Sequence, residues 1–267
     1  MDVLKKCLDL NTQAIACMKE GRFEEGSLLL RYALEKLEVC ILPQLHLTWY
    51  SRNHGSNQQT SSFGLHSQSG PVAGMESTVG RCSMEPSVSG DCTYTSVSIE
   101  SQWTKDVVQE TSPDNVLSFY PRMFHLTFKG HIDSMELLKI TMIVMFNEAV
   151  SRHVVGLMSI SKCKANPGVA LTKVLNSYQK IVLLARSCFQ CNDFNEMLCV
   201  LVATTNNYGH AASQLNLFNE TRDSISTVIH FLAISDENSF HRDDVRLFFE
   251  SVCIFLEGRN LRNAPAA

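Results

Sequence analysis

The sequence contains no run of about 18 apolar residues, so it predicts no membrane-spanning helix. It carries no charge excess either: 23 Lys and Arg stand against 27 Asp and Glu, for a net charge of −4. Nucleic-acid and membrane-surface proteins usually present a basic face, and this balance argues against both. A G-x-S-x-G elbow, a phosphate-cradling glycine loop and a G-x-G-x-x-G turn are all missing. That removes the common sequence routes to hydrolase, nucleotide and dinucleotide chemistry. The opening "MDVLKKCLDLNTQA" has acids and no apolar core segment, unlike a secretory signal. The ten cysteines are scattered, mostly in apolar, helical-looking surroundings such as Cys40 in "LEVCIL", where a free cysteine behaves as a small hydrophobe. A reducing, intracellular setting (cytoplasmic or nuclear) without disulfides is expected.

What the chain does have is helical periodicity. In "VLKKCLDLNTQAIACMKEG", Leu4, Cys7, Leu8, Asn11, Ile15 and Met18 recur at steps of three and four. Gly21 ends that helix and "RFEEGSLLLRYALEKLEVCILPQL" restarts at once, with Glu24 and Glu25 in its first turn and Pro43 marking its end. From about 133 the pattern returns. Asp133 is a cap candidate for "DSMELLKITMIVMFNEAVSRHVVG". "ALTKVLNSYQKIVLLARSCF" follows, then "DFNEMLCVLVATTNNYGHAASQLN", capped by Asn192 or Asp193. "LFNETRDSISTVIHFLAIS" and "HRDDVRLFFESVCIFLEG" complete the set. Residues 51–118 differ. They are rich in Ser, Gly, Gln and Asn, bury too little apolar surface to offset ordering entropy, and predict a flexible insertion. Near its end, "CTYTSVSIESQW" and "VLSFYPRMFHLTF" alternate and are β-branched or aromatic, so one or two short strands, or extended chain across a helical groove, are expected there. The division expected is a first hairpin over 1–50, the insertion over 51–118, further hairpins and a terminal helix over 119–260, and a mobile tail over 261–267.

A 34-residue helix-turn-helix repeat places small residues where its helices touch and glycine and an aromatic at its turn. On that frame Ala14 falls at position 8, Gly21 at 15, Phe23 at 17, Gly26 at 20 and Ala33 at 27. "MFNEAVSRHVVGL" puts Ala149 at 8 and Gly156 at 15. "NNYGHAASQLNLFNETRDSISTVI" puts Gly209 at 8, Asn216 at the turn, Phe218 at 17 and Thr221 at 20. The chain therefore resembles the tetratricopeptide-like helical proteins. More narrowly it is similar to a large group of them from diatom-type algae, which carry patterns like "YNLALxHHxxG" and "LLNNLGHIxxxLxxxxEA" in the same order. The likeness covers roughly 3–42 and 133–260. Val228 departs from it at position 27, and no proline stands at 32.

The resemblance implies an all-α, right-handed superhelix of about three hairpins plus a terminal helix. It also implies a concave surface lined by the first helix of each pair. Carried over, that surface would be formed by Asn11 and Lys19, by Phe146 and His153, and by Asn206, His210, Ser213 and Gln214, with Ile15, Met18, Val150 and Val154 beside them. The expected role is non-catalytic: binding a protein or peptide partner in a mixed polar–apolar groove. No enzyme activity, cofactor or metal is expected, and the oligomeric state stays open. The lone Cys188-x-x-Cys191 lacks a second ligand pair with zinc spacing. A small-molecule or redox-sensing domain using 188–199 is the alternative. The paired acids Glu24–Glu25 and Asp243–Asp244 are expected to serve helix starts. The histidines form no cluster along the sequence, and His125 and His131 flank an expected surface loop.

Overall fold

The computed structural model describes residues 2–53, 91–99, 117–130, 132–161, 167–188, 196–235 and 240–262. Among these are seven helices: α1 (Asp2–Lys19), α2 (Phe23–Asn53), α3 (Ser134–Ser161), α4 (Pro167–Cys188), α5 (Leu198–Gln214), α6 (Phe218–Ile234) and α7 (Arg242–Arg262). One antiparallel pair joins them, β1 (Asp91–Ser98) and β2 (Arg122–Lys129), with Phe124 opposite Ser96 and Thr127 opposite Thr93. Each helix packs on the next in chain order, and β2 lies against α1 and α3. The chain is thus mostly helical, with a short sheet laid on its helices.

The turns form as the sequence predicts. Gly21 (φ 79°) and Asn216 (φ 58°) adopt the left-handed conformation that ends α1 and α5. Glycine escapes the Cβ clash there, and asparagine tolerates it better than most residues. Small residues permit the α1–α2 crossing: a Cβ on Gly26 would lie 3.2 Å from the Ala14 carbonyl oxygen and 3.1 Å from Met18 Sδ. Asp133 caps α3, its Oδ1 accepting the Met135 and Glu136 N–H groups at 2.8 Å each.

Other expectations need correction. α2 runs ten residues past Pro43; proline's fixed φ suits a helix, and its cost, a lost hydrogen bond and a ring clash with the carbonyl four residues back, is not an obligatory stop. The short strands expected in "CTYTSVSIESQW" and "VLSFYPRMFHLTF" are β1 and β2, and Ile99 and Leu117 beside them are buried. The loop expected beside His125 is strand β2, where His125 Nε2 lies 3.2 Å from Thr12 Oγ1; His131 is outside the described residues. Met197 precedes α5 with no side-chain cap, while Asn192 and Asp193 fall outside the described residues.

Candidate functional site

Three helices turn asparagines toward one extended stretch of main chain. Asn147 of α3 grips Phe124 at two points: its Oδ1 accepts the Phe124 N–H at 2.8 Å and its Nδ2 donates to the Phe124 carbonyl at 2.8 Å. Asn207 of α5 does the same to Tyr120, at 2.8 and 3.2 Å. Asn11 of α1 adds a second donor to the Phe124 carbonyl at 3.1 Å, and its Oδ1 accepts from Asn147 Nδ2 at 2.7 Å. Asn206 Nδ2 and Ser251 Oγ of α7 both donate to the Ser118 carbonyl at 3.0 Å. The gripped residues, 118, 120 and 124, are all even-numbered, as the two-residue repeat of extended chain requires. The opposite edge faces β1 and its continuation, where the Ile99 N–H donates to the Pro121 carbonyl at 3.0 Å. A buried backbone group without a partner costs about 1–3 kcal/mol, and the asparagines supply partners on the edge where the described residues place no second strand.

The side chains of the same stretch fill the face between the helices. Leu117, Phe119, Tyr120, Met123, Phe124 and Leu126 are all buried. Tyr120 stacks on Phe248 of α7 at 5.0 Å, and Phe124 meets Phe146 at 5.1 Å and Tyr94 at 5.3 Å. Phe119 points its edge at His153 at 4.7 Å and lies 5.6 Å from His210. Those histidines do meet in space: His210 Nδ1 is 3.1 Å from His153 Nε2, and His153 Nδ1 is 3.3 Å from the Tyr178 hydroxyl. Burial pushes His153 well below the usual histidine range, with His210 adding to the effect, and pushes His210 down to about 4. Both rings are therefore neutral at pH 7, a buried packing pair.

A second cluster fastens the strand to α7. Asp244 Oδ1 accepts from Ser96 Oγ and the Tyr120 hydroxyl at 2.8 Å each, and pairs with Arg122 Nε at 3.0 Å. Asp244 stands in the first turn of α7, as expected; it is also 1% exposed and holds both strands. Cys199 Sγ lies 3.8 Å from its Oδ2. Burial pushes the Tyr120 hydroxyl and the Cys199 thiol well above their usual ranges, so both stay protonated and unreactive at neutral pH.

Of the residues expected to line a groove, Asn11, Phe146, His153, Asn206 and His210 surround residues 117–124. Lys19 is exposed at the end of α1, Ser213 Oγ donates to the carbonyl of His210, and Gln214 is half-buried at the end of α5. Asn147 and Asn207 were missed. They stand one residue beyond the positions carried over, although "LNTQA", "FNEAV" and "NNYGH" each show an asparagine just before the small crossing residue. Cys191 lies outside the described residues, and among the described ones no group of three or more His, Cys, Asp or Glu could hold a metal ion. No family model, curated protein or solved structure matches the chain.

Proposed function

We propose that the chain is a non-catalytic protein-interaction module, a tetratricopeptide-like array whose concave face holds an extended polypeptide by its main chain. The observation that carries this reading is the pair of two-point clamps, Asn147 on Phe124 and Asn207 on Tyr120. Such clamps suit an extended backbone of any sequence, because their hydrogen bonds to what they hold go to its main chain. In this structure the chain is its own ligand. Six large side chains of 117–126 are buried, and at about 1.5–3 kcal/mol each their burial contributes roughly 9–18 kcal/mol. That matches the whole stability of a typical domain, about 5–15 kcal/mol. A partner therefore does not simply displace the wild-type strand, and it engages the array with the strand in place or after the strand is weakened.

Complementation tests the reading. A peptide of residues 117–129 is added to a full-length chain weakened by Phe119→Ala and Phe124→Ala. Saturable binding and a raised melting temperature are expected, both lost when Asn147→Ala and Asn207→Ala are added. Absent binding, or binding indifferent to the asparagines, would overturn it.

A further inference from the structure

On the side of α3 away from the strand lies an open trough of about 850 Å³, walled by α2, α3 and α4. Gly156 in its floor is nine residues from Asn147, about two and a half turns on, and so on the opposite face of the helix. Arg31 of α2, Arg152 of α3 and Lys173 of α4 all reach this trough, against one carboxylate of its lining, Glu24. Arg152 is already engaged by the buried carboxylate of Glu148. Arg31 and Lys173 are exposed and form no ion pair among the described residues. Between the cations the walls are apolar: Leu28 is 59% and Val169 55% exposed, large fractions for aliphatic residues. The trough runs on into a second of about 620 Å³ along α2, sharing Leu28 and Val155 with it.

We propose that this trough is a docking site for an acidic segment of a partner polypeptide, its carboxylates on Arg31 and Lys173 and an aliphatic side chain between Leu28 and Val169. Charge complementarity selects that occupant. A protein of net charge −4 presents here three cations, Arg31, Arg152 and Lys173, against Glu24 of the lining and the buried Glu148, whose carboxylate attracts both arginines; the excess is positive, and the guanidinium fork of exposed Arg31 fits a further carboxylate. The elongated, open shape and apolar walls suit a peptide better than a small inorganic anion, which needs a converging nest of donors. The inference is independent of the clamped strand, because the two sites lie on opposite faces of α3.

Short random peptides displayed on phage and selected against the full-length protein test it. The recovered peptides are then labelled and titrated by fluorescence anisotropy. Selected sequences should be enriched in Asp and Glu beside an aliphatic residue. Their binding should weaken about tenfold or more in the Arg31→Glu/Lys173→Glu variant and fall as salt rises. Leu28→Asp should weaken it independently, while Lys129→Glu, at an exposed lysine of β2, should not. Both reversed positions are exposed, so the variant is expected to fold, and its melting curve checks this. A peptide with its acids replaced by lysine should recover binding to the reversed variant. Failure to select any peptide, selection without acidic enrichment, or undiminished binding to the reversed variant would overturn the proposal.

Discussion

Replacing Asn147 by alanine should be among the most damaging single polar substitutions in the chain, although alanine suits the helix that carries it. The side chain is fully buried and makes three hydrogen bonds at 2.7–2.8 Å. Its loss strands the Phe124 N–H and the Asn11 Oδ1, whereas the Phe124 carbonyl keeps Asn11 as donor at 3.1 Å. Two buried orphans at about 1–3 kcal/mol each give roughly 2–6 kcal/mol of lost stability. Asn11→Ala strands only one donor, the second Nδ2 hydrogen of Asn147, and should cost about half as much. Asn147→Asp separates the grip from mere bulk: it keeps the shape and the acceptor for Phe124 N–H, but sets an oxygen against the Phe124 carbonyl and Asn11 Oδ1. It should cost at least as much as alanine at neutral pH. Equilibrium urea unfolding followed by far-ultraviolet circular dichroism measures all three, with an unchanged m-value expected if the unfolded state is unaffected. Should Asn147→Asp, or Asn147→Ala, lie within about 0.5 kcal/mol of the wild type, as a neutral surface substitution would, the clamp contributes nothing and the reasoning fails.

Three further outcomes are expected. The buried histidine pair has depressed pKa values, so its contribution is full above the unfolded value near 6.5 and is lost as pH falls toward the folded value. For His210, lowered to about 4, the drop amounts to about 3 kcal/mol, and stability curves of wild type and His210→Gln should converge as pH falls through that window; parallel curves would contradict it. Gly209→Ala would put a Cβ 2.8 Å from Ser224 Cβ and from Leu117 Cδ1. It should cost about 1–3 kcal/mol in thermal melts, and Ser224→Gly should recover part of the loss, an absence of rescue pointing to another cause. Asp244→Ala leaves Arg122, 13% exposed, without its buried partner. A loss of about 3–5 kcal/mol is expected by denaturant titration, and a near-neutral effect would show that the latch to α7 is dispensable.

Local physics made the helical hairpins readable in advance. Apolar residues at steps of three and four specify a buried stripe, Gly21 and Asn216 tolerate the left-handed turn, and Asp133 offers its carboxylate to the first N–H groups of α3. All of these act within a few residues of one another. The same locality explains what went unread: Pro43 looked like a stop because a lone proline reads that way, and Asp244 does serve its own helix start, which hides its second role as the latch to both strands. What lies in the central face could not be read locally. The alternation in "VLSFYPRMFHLTF" announces an extended segment with a side to bury, but not the surface that buries it. Asn11, Asn147 and Asn207 look like ordinary polar residues of helices until 113, 23 and 87 residues of separation close around Phe124 and Tyr120. His153 and His210, 57 residues apart, become a pair in the same way. Neighbouring residues were enough to fix which segments are helical and where they turn. That the strand fills the face the helices share followed from the assembled fold, because the edge of that strand away from β1 gains its partners from elements that meet only when the fold is complete.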